Sequence, residues 1–148
     1  MDEKVKDESQ LDVKERDRIL ESLQEDWNIK EDVSFNEYNI KEKLETHPFK
    51  LIQYSDQLEK ERFVLDRIKD IYDKVVGKRY DFYRFQMDER LTQREIEQYY
   101  LPKDEKVIKI KETLKAQEIR VKFFEICVKA LEKMSWNMKN WIDRNRTH

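Results

Sequence analysis

The chain is poor in the residues that make turns. Among its 148 residues are one glycine and two prolines. Tight turns, bulges and phosphate-binding loops depend on these two residue types. Their shortage excludes a β-sandwich, a β-barrel and any nucleotide-binding fold built on a glycine-rich loop.

Residues that could hold a metal or act as a nucleophile are equally scarce. His47 and His148 are the two histidines, and neither has a cysteine or a second histidine at a ligand spacing. Cys127, the one cysteine, cannot form an intrachain disulfide and stands between Ile126 and Val128. We therefore predict that Cys127 is a small buried apolar residue in a reducing cytoplasm. We expect no enzymatic activity, no metal and no cofactor.

Charge is abundant and unevenly distributed. Charged residues make up 43% of the chain, although the net charge is only −2. Residues 1–36 carry a net charge of −6 and residues 101–148 a net charge of +5. High charge with few helix breakers is typical of long amphipathic helices. No apolar run approaches the length of a membrane span, so we expect a cytoplasmic protein without a membrane partner.

Two stretches carry apolar residues at alternating spacings of three and four, the pattern of a packed helix seam. The first runs from Pro48 to about residue 85, with Glu61 as its one non-apolar seam position. The second follows Asp104, its predicted N-cap, and runs to about residue 144. These stretches predict two long antiparallel helices in an all-α fold.

Shorter helices are predicted around this pair. A short amphipathic helix over 9–27 lies in an acidic N-terminal arm, residues 1–36. A second short helix over 37–46 begins after Asn36 as its cap. Thr92 and Glu95 form a capping box for a helix over 93–100. Residues 37–148 are predicted to form a separate helical domain.

A second apolar seam lies beside the main one on the last helix. One intrachain helix covers one seam, so the second seam predicts contact with another copy of the chain. The predicted oligomer interface consists of Phe123, Cys127, Ala130, Met134 and Trp141.

In residues 77–85, basic side chains alternate with aromatic side chains. Single-stranded nucleic acid is bound by cations on its phosphates and by aromatic faces against its bases. Composition alone slightly favours the alternative, in which the aromatic side chains close the end of a helix bundle and the basic side chains keep it soluble. A weaker candidate surface is the C-terminal set Lys133, Lys139, Arg144 and Arg146, near Trp136 and Trp141.

Four blocks of sequence together resemble the UvsY family of phage recombination mediators. They span most of residues 19–146, and their order and spacing carry the likeness. The blocks are Leu23–Trp27 with Lys30–Asp32, His47–Leu58, Lys78–Tyr83, and Tyr100–Asp104 with Met138–Asp143.

The resemblance implies a protein that binds single-stranded DNA and forms a closed ring of identical subunits, hexameric or heptameric. It implies that the ring helps to load a RecA-like recombinase onto strands coated by single-strand-binding protein, in the cytoplasm of the infected bacterial host. The predicted DNA-binding residues are Lys78, Arg79, Tyr83 and Arg84. The resemblance implies the basic stretch Lys78–Arg79, of which Arg79 falls on a basic position of the family pattern, whereas Tyr83 and Arg84 follow from the mixture of basic and aromatic side chains. The alternative is a structural coiled-coil adaptor that does not contact nucleic acid.

Overall fold

The computed structural model describes the backbone of residues 2–146 and the side chains of residues 12–146. This part of the chain is helical and contains no strand, which confirms the predicted all-α class. The helices are α1 Asp2–Asp26, α2 Ile29–Asp32, α3 Ile40–Phe85, α4 Gln93–Glu95 and α5 Glu105–Arg146. A π-helical turn, Ile96–Tyr100, and a 3₁₀ turn, Leu101–Lys103, connect α4 to α5.

Helix α3 is longer than the sequence predicts. Separate helices over 37–46 and from Pro48 were wrong, because one helix runs through the proline. Pro48 removes one backbone hydrogen bond at a cost of about 3 kcal/mol. Buried Ile40, Tyr54 and Leu58 lie on both sides of it, and burial of each side chain contributes about 1.5–3 kcal/mol. The predicted cap is confirmed: Asn36 Oδ1 accepts hydrogen bonds from the backbone N–H groups of residues 38 and 39, at 2.9 and 3.0 Å.

Helix α1 begins at Asp2, earlier than the short helix predicted over 9–27, and ends at Asp26. Acids and bases three positions apart lie on the same side of a helix and stabilise it weakly. Arg18 and Glu15 form such a pair, at 3.8 Å. Such pairs add a few tenths of a kcal/mol each to the stability of this charged helix.

The chain divides into two compact units, and neither coincides with the predicted arm and domain. Unit 1 consists of Met1–Glu61 with Ile119–His148, and unit 2 of Arg62–Glu118. Unit 1 therefore combines the N-terminal segment with parts of both long helices. The aromatic ring of Trp27 lies 4.9 Å from that of Tyr54 and 5.2 Å from that of Phe124.

Within unit 1, helices α3 and α5 are antiparallel. His47 Nε2 donates to the carbonyl oxygen of Leu131 at 2.7 Å. Further along α3, buried Glu61 forms two hydrogen bonds with Arg120, at 2.7 and 3.0 Å. Residue numbers rise along α3 as they fall along α5, as in an antiparallel pair. The non-apolar position of the first seam is thus accommodated by an ion pair.

The second seam of α5 is largely buried within the chain. Phe123, Cys127 and Met134 are 7%, 1% and 2% exposed, and Ala130 and Trp141 are half-buried. The expectation that one chain leaves this seam uncovered was therefore wrong for the three buried residues. The sequence argument assigned α5 one intrachain partner, whereas the segment after α1 also meets this helix. The ring of Trp27 lies 5.2 Å from that of Phe124, the neighbour of Phe123, and the charge of Asp32 acts on Cys127. Oligomerisation through these five residues stays a prediction, but an uncovered second seam no longer supports it.

Cys127 is buried, as the sequence predicts. Burial and the nearby charge of Asp32 raise the pKa of its thiol to about 12. The thiolate is the reactive form of cysteine. The side chain therefore acts as a small apolar residue of unit 1.

Unit 2 has a small apolar core beside the last turns of α3. Ile96, Leu101 and Val107 are buried. The residues packed against them are Val75, Val76, Tyr80, Tyr83 and Leu91. Thr92 caps α4 as predicted, because its Oγ1 accepts from the N–H of Glu95 at 3.2 Å. The turns that follow α4 lie beside the last turns of α3 and determine which aromatic rings meet there.

Candidate nucleic-acid interface

The carboxylate of Asp104 connects the start of α5 to the end of α3. Its Oδ1 accepts from the backbone N–H groups of Lys106 and Val107, at 2.9 and 3.1 Å, so the predicted N-cap is confirmed. Its Oδ2 accepts from Nε of Arg79 at 2.7 Å and from the hydroxyl of Tyr83 at 2.6 Å. Both oxygens of one buried side chain are therefore hydrogen-bonded, and Asp104 is 5% exposed.

This environment stabilises the charged form of Asp104. Burial alone would raise the pKa of the carboxyl group. The hydrogen bonds from Tyr83, Arg79 and the backbone of Val107 outweigh burial and lower the pKa to about 2. Burial and the bond to Asp104 raise the pKa of the Tyr83 hydroxyl, so this group remains a neutral donor.

Acid is expected to weaken this contact. The pKa of Asp104 falls from 3.8 to about 2 on folding. Its stabilisation is therefore complete above about pH 4 and is lost as the pH falls toward 2, a loss of about 2 kcal/mol. Asp104→Asn keeps an acceptor for the cap but has no titrating carboxyl group. Urea unfolding between pH 2 and 5 should show a smaller pH dependence in this variant, and equal dependence in both proteins would contradict the prediction.

Two of the four predicted DNA-binding residues are thus engaged within the chain. The Arg79 guanidinium lies 4.3 Å from the ring centre of Phe82 and 5.4 Å from that of Tyr83. Its side chain is 21% exposed. Arg79 and Tyr83 hold the end of α3 against the start of α5, and their contact with DNA stays a prediction.

The other two predicted residues, Lys78 and Arg84, are exposed. Arg84 donates from Nη1 to the hydroxyl of Tyr80 at 3.1 Å. Its guanidinium also lies 5.9 Å from the centre of the exposed Phe85 ring. Lys78 and Arg84 are separated by about 9 Å along the helix axis. They are the two cations of this segment that an external anion can reach.

A cleft beside this segment was not predicted from the sequence. It has a volume of about 500 Å³ and is lined by Tyr83, Glu95, Tyr99, Tyr100 and Lys103. The rings of Tyr83 and Tyr100 lie 5.2 Å apart. The adjacent tyrosines before Pro102 were a possible signal, but the sequence does not show that the π-helical turn brings them to the end of α3.

The C-terminal basic set lies in unit 1. Lys133, Lys139, Arg144 and Arg146 are exposed, and Trp136 is 70% exposed. Trp141 is half-buried. This surface combines cations with one accessible aromatic side chain, whereas the end of α3 combines cations with several.

Among the residues that the structure describes, no group of three or more His, Cys, Asp or Glu side chains is arranged to hold a metal ion. His148 lies outside the described residues. In the same part of the chain, no helix has the length and apolar character needed to cross a membrane.

Comparison with known proteins places this geometry in a family. The sequence model of the family described as "Recombination, repair and ssDNA binding protein UvsY" matches residues 23–148. A crystal structure of the bacteriophage T4 recombination mediator protein UvsY, lattice type IV, shares the fold with a TM-score of 0.75 and 20% identity, covering 86% of this chain and 97% of that one. The lattice type II structure of the same protein has a TM-score of 0.75 and 19% identity, and the match covers 86% of this chain and 96% of that one. None of the curated proteins compared with the chain matches it. Because the family match covers well over half of the sequence, the chain belongs to the UvsY family.

Proposed function

We propose that the protein is a recombination mediator that binds single-stranded DNA and helps to load a RecA-like recombinase onto strands coated by single-strand-binding protein. The observation that carries this proposal is the family match over residues 23–148. In this role the protein acts without catalysis, in the cytoplasm of the infected bacterial host. It takes part in homologous recombination, repair and recombination-dependent replication.

The end of α3 supports the DNA-binding part of the proposal. Lys78 and Arg84 are exposed cations. Arg84 lies beside Tyr80 and the exposed Phe85, and Tyr99 in the neighbouring cleft is 61% exposed. Cations and aromatic faces together suit single-stranded DNA, whose phosphates and unpaired bases are both accessible.

A salt titration tests DNA binding against the alternative of a structural coiled-coil adaptor. Phosphate contacts release counterions, so affinity for an unstructured oligonucleotide should fall steeply as salt concentration rises. Binding should tolerate changes of sequence and should be weaker for duplex DNA. An adaptor would bind no oligonucleotide at low salt, and that result would overturn the proposal.

We also propose that the protein forms a ring of six or seven identical subunits. Its single chain exposes large apolar side chains on both long helices of unit 1, and such surfaces favour contact with another protein surface. Phe49 is 74% exposed and Trp136 is 70% exposed. Repetition around a ring would combine weak DNA sites, because linked sites bind with a high effective concentration.

Replacing Phe49 and Trp136 together with serine is expected to lower the mass of the assembly in solution while the helices remain folded. The change removes apolar area from the proposed contact and leaves the buried core of unit 1 intact. Mass photometry with circular dichroism measures both properties. Tyr38→Ser, at an 89% exposed position outside the helices, is the control. A native mass for the double variant would contradict this interface.

A further inference from the structure

The cleft beside α3 has the components of a site for a planar aromatic ligand with a nearby negative charge. Three of its five lining residues are tyrosines, and one is a lysine. Its volume of about 500 Å³ lies within the usual range for small-molecule clefts, roughly 300–1,000 Å³. Tyr99 is the most accessible of the three rings, at 61%.

The back of the cleft is held in place before any ligand arrives. The Tyr83 hydroxyl is hydrogen-bonded to Asp104 at 2.6 Å, and its ring lies 5.2 Å from that of Tyr100. A site that is already ordered loses less conformational entropy on binding. Tyr83 and Tyr100 therefore form a fixed wall, against which Tyr99 provides an exposed face.

We propose that this cleft receives one unstacked base of single-stranded DNA, with its ring against Tyr99 and Tyr100 and an adjacent phosphate at Lys103. The proposal rests on the proposed DNA-binding function and names the place where the chain contacts a base. Tyrosine faces stack on any base, and the lysine supplies the complementary charge for the backbone. The occupant is thus a base attached to a phosphate backbone.

Glu95 gives this site a hydrogen-bond acceptor for the base. Its backbone N–H is bonded to the Thr92 cap, and its Oε1 accepts from the Thr92 hydroxyl at 3.1 Å, so the side chain is held at the rim of the cleft. Carboxylate oxygens have acceptor capacity for further hydrogen bonds. Every unpaired base carries an N–H donor on its Watson–Crick edge, an amino group in cytosine, adenine and guanine and a ring N–H in guanine and thymine. The carboxylate can therefore accept from any of the four bases, as binding without sequence preference requires.

The first experiment separates base capture from backbone binding. Oligonucleotides of cytidine, of thymidine and of abasic sugar-phosphate, equal in length, are titrated into the full-length protein at one salt concentration. Affinity should be similar for the cytidine and thymidine strands and clearly lower for the abasic strand. Equal affinity for all three would overturn the cleft while leaving phosphate binding intact. Failure of all three to bind would overturn the proposed function itself.

The second experiment assigns the contact to residues. Tyr99→Ala should weaken cytidine binding by about tenfold, the usual scale for loss of one stacked base, and Tyr99→Phe should retain it. Quenching of 2-aminopurine in an oligonucleotide should be strong with the wild-type protein and with Tyr99→Phe, and weak with Tyr99→Ala. Tyr38→Ala is the matched control at an exposed tyrosine in unit 1. If Tyr99→Ala retains both affinity and quenching, the proposal is wrong.

Glu95→Gln and Glu95→Ala together test the hydrogen bond to the base. The amide keeps an acceptor oxygen, so Glu95→Gln should retain cytidine binding, whereas Glu95→Ala has no acceptor and should weaken it. Equal binding by the two variants would overturn the role of Glu95.

A tyrosine-containing peptide tests whether the cleft instead takes an aromatic side chain of a protein. If Tyr99→Ala abolishes binding of the peptide and leaves DNA binding unchanged, the base site is wrong.

Discussion

Changing Lys78 and Arg84 together to alanine is expected to lower affinity for single-stranded DNA by at least about tenfold. Both side chains are exposed on the last turns of α3, beside the aromatic rings of unit 2. Each phosphate contact on a single strand contributes about 0.7 to the slope of log affinity against log salt. Loss of two contacts should therefore flatten the slope by about 1.4 for each engaged subunit. Around a ring, the loss repeats in every copy.

The control for this variant must remove the same charge at another place. Lys41 and Lys60 are exposed positions on the unit 1 part of α3, so changing both to alanine also removes two positive charges. Affinity and salt slope are measured by fluorescence anisotropy after the assembly masses have been shown to be equal. If the two double variants lose affinity equally, the effect is one of net charge. If neither double variant loses affinity, the exposed basic side chains near the C-terminal end of α5 become the better candidate for the DNA-binding surface.

Arg79 is left out of this test because its replacement would have two effects. Its Nε is bonded to a carboxylate that is 3% exposed, and loss of the guanidinium would leave that charge buried without its cationic partner. A fall in DNA affinity after Arg79→Ala would then report unfolding as well as loss of a phosphate contact. Replacing Arg79 therefore tests the stability of the fold, whereas replacing Lys78 and Arg84 tests the proposed DNA surface.

Asp104→Ala is expected to lower the free energy of unfolding by about 3–5 kcal/mol. The substitution removes the N-cap of α5, itself worth about 1 kcal/mol, together with the acceptor of both Arg79 and Tyr83. Since these contacts are all within unit 2, its unfolding should show the effect most strongly. Urea unfolding followed by circular dichroism measures the change. Asp88→Ala, at an exposed position after α3, is the matched control and should lie within about 0.5 kcal/mol of the wild type.

A double variant distinguishes a lost ion pair from a lost cap. Arg79→Met in the Asp104→Asn background removes both charges while leaving an acceptor at the cap. If the ion pair dominates, Asp104→Asn should be strongly destabilised, and the added Arg79→Met should restore part of the loss because no unpaired charge remains. Strictly additive losses would show that Arg79 and Asp104 act independently, contrary to the 2.7 Å contact between them.

The local features of the fold were accessible from the sequence because they depend on residues close to one another along the chain. Asn36, Thr92 and Asp104 were predicted as helix caps, and each accepts a backbone hydrogen bond two or three residues ahead. Helix α3 ends at Phe85, as predicted from the end of the apolar spacing, and α5 continues to Arg146, two residues beyond its predicted end near residue 144. The basic-aromatic composition of residues 77–85 was likewise visible in the sequence.

Long-range pairing determined the remaining features. The continuity of α3 through Pro48 depends on buried neighbours that offset the missing hydrogen bond. The burial of Cys127 depends on parts of the chain far from α5 in sequence, among them the N-terminal segment, where Trp27 packs against Phe124 and the charge of Asp32 acts on Cys127.

The sequence by itself determined the helical class, the helix caps and the family resemblance, because spacing and local hydrogen bonding encode them. Only the tertiary structure decided which basic side chains bind partners within the chain and which remain exposed. Arg79 and Tyr83 meet Asp104, more than 20 residues away in the chain, and Arg84 stays exposed. A carboxylate 21 or 25 positions distant leaves no periodic signal in the sequence. Tertiary packing therefore determined which charged side chains form contacts within the chain and which stay at the surface.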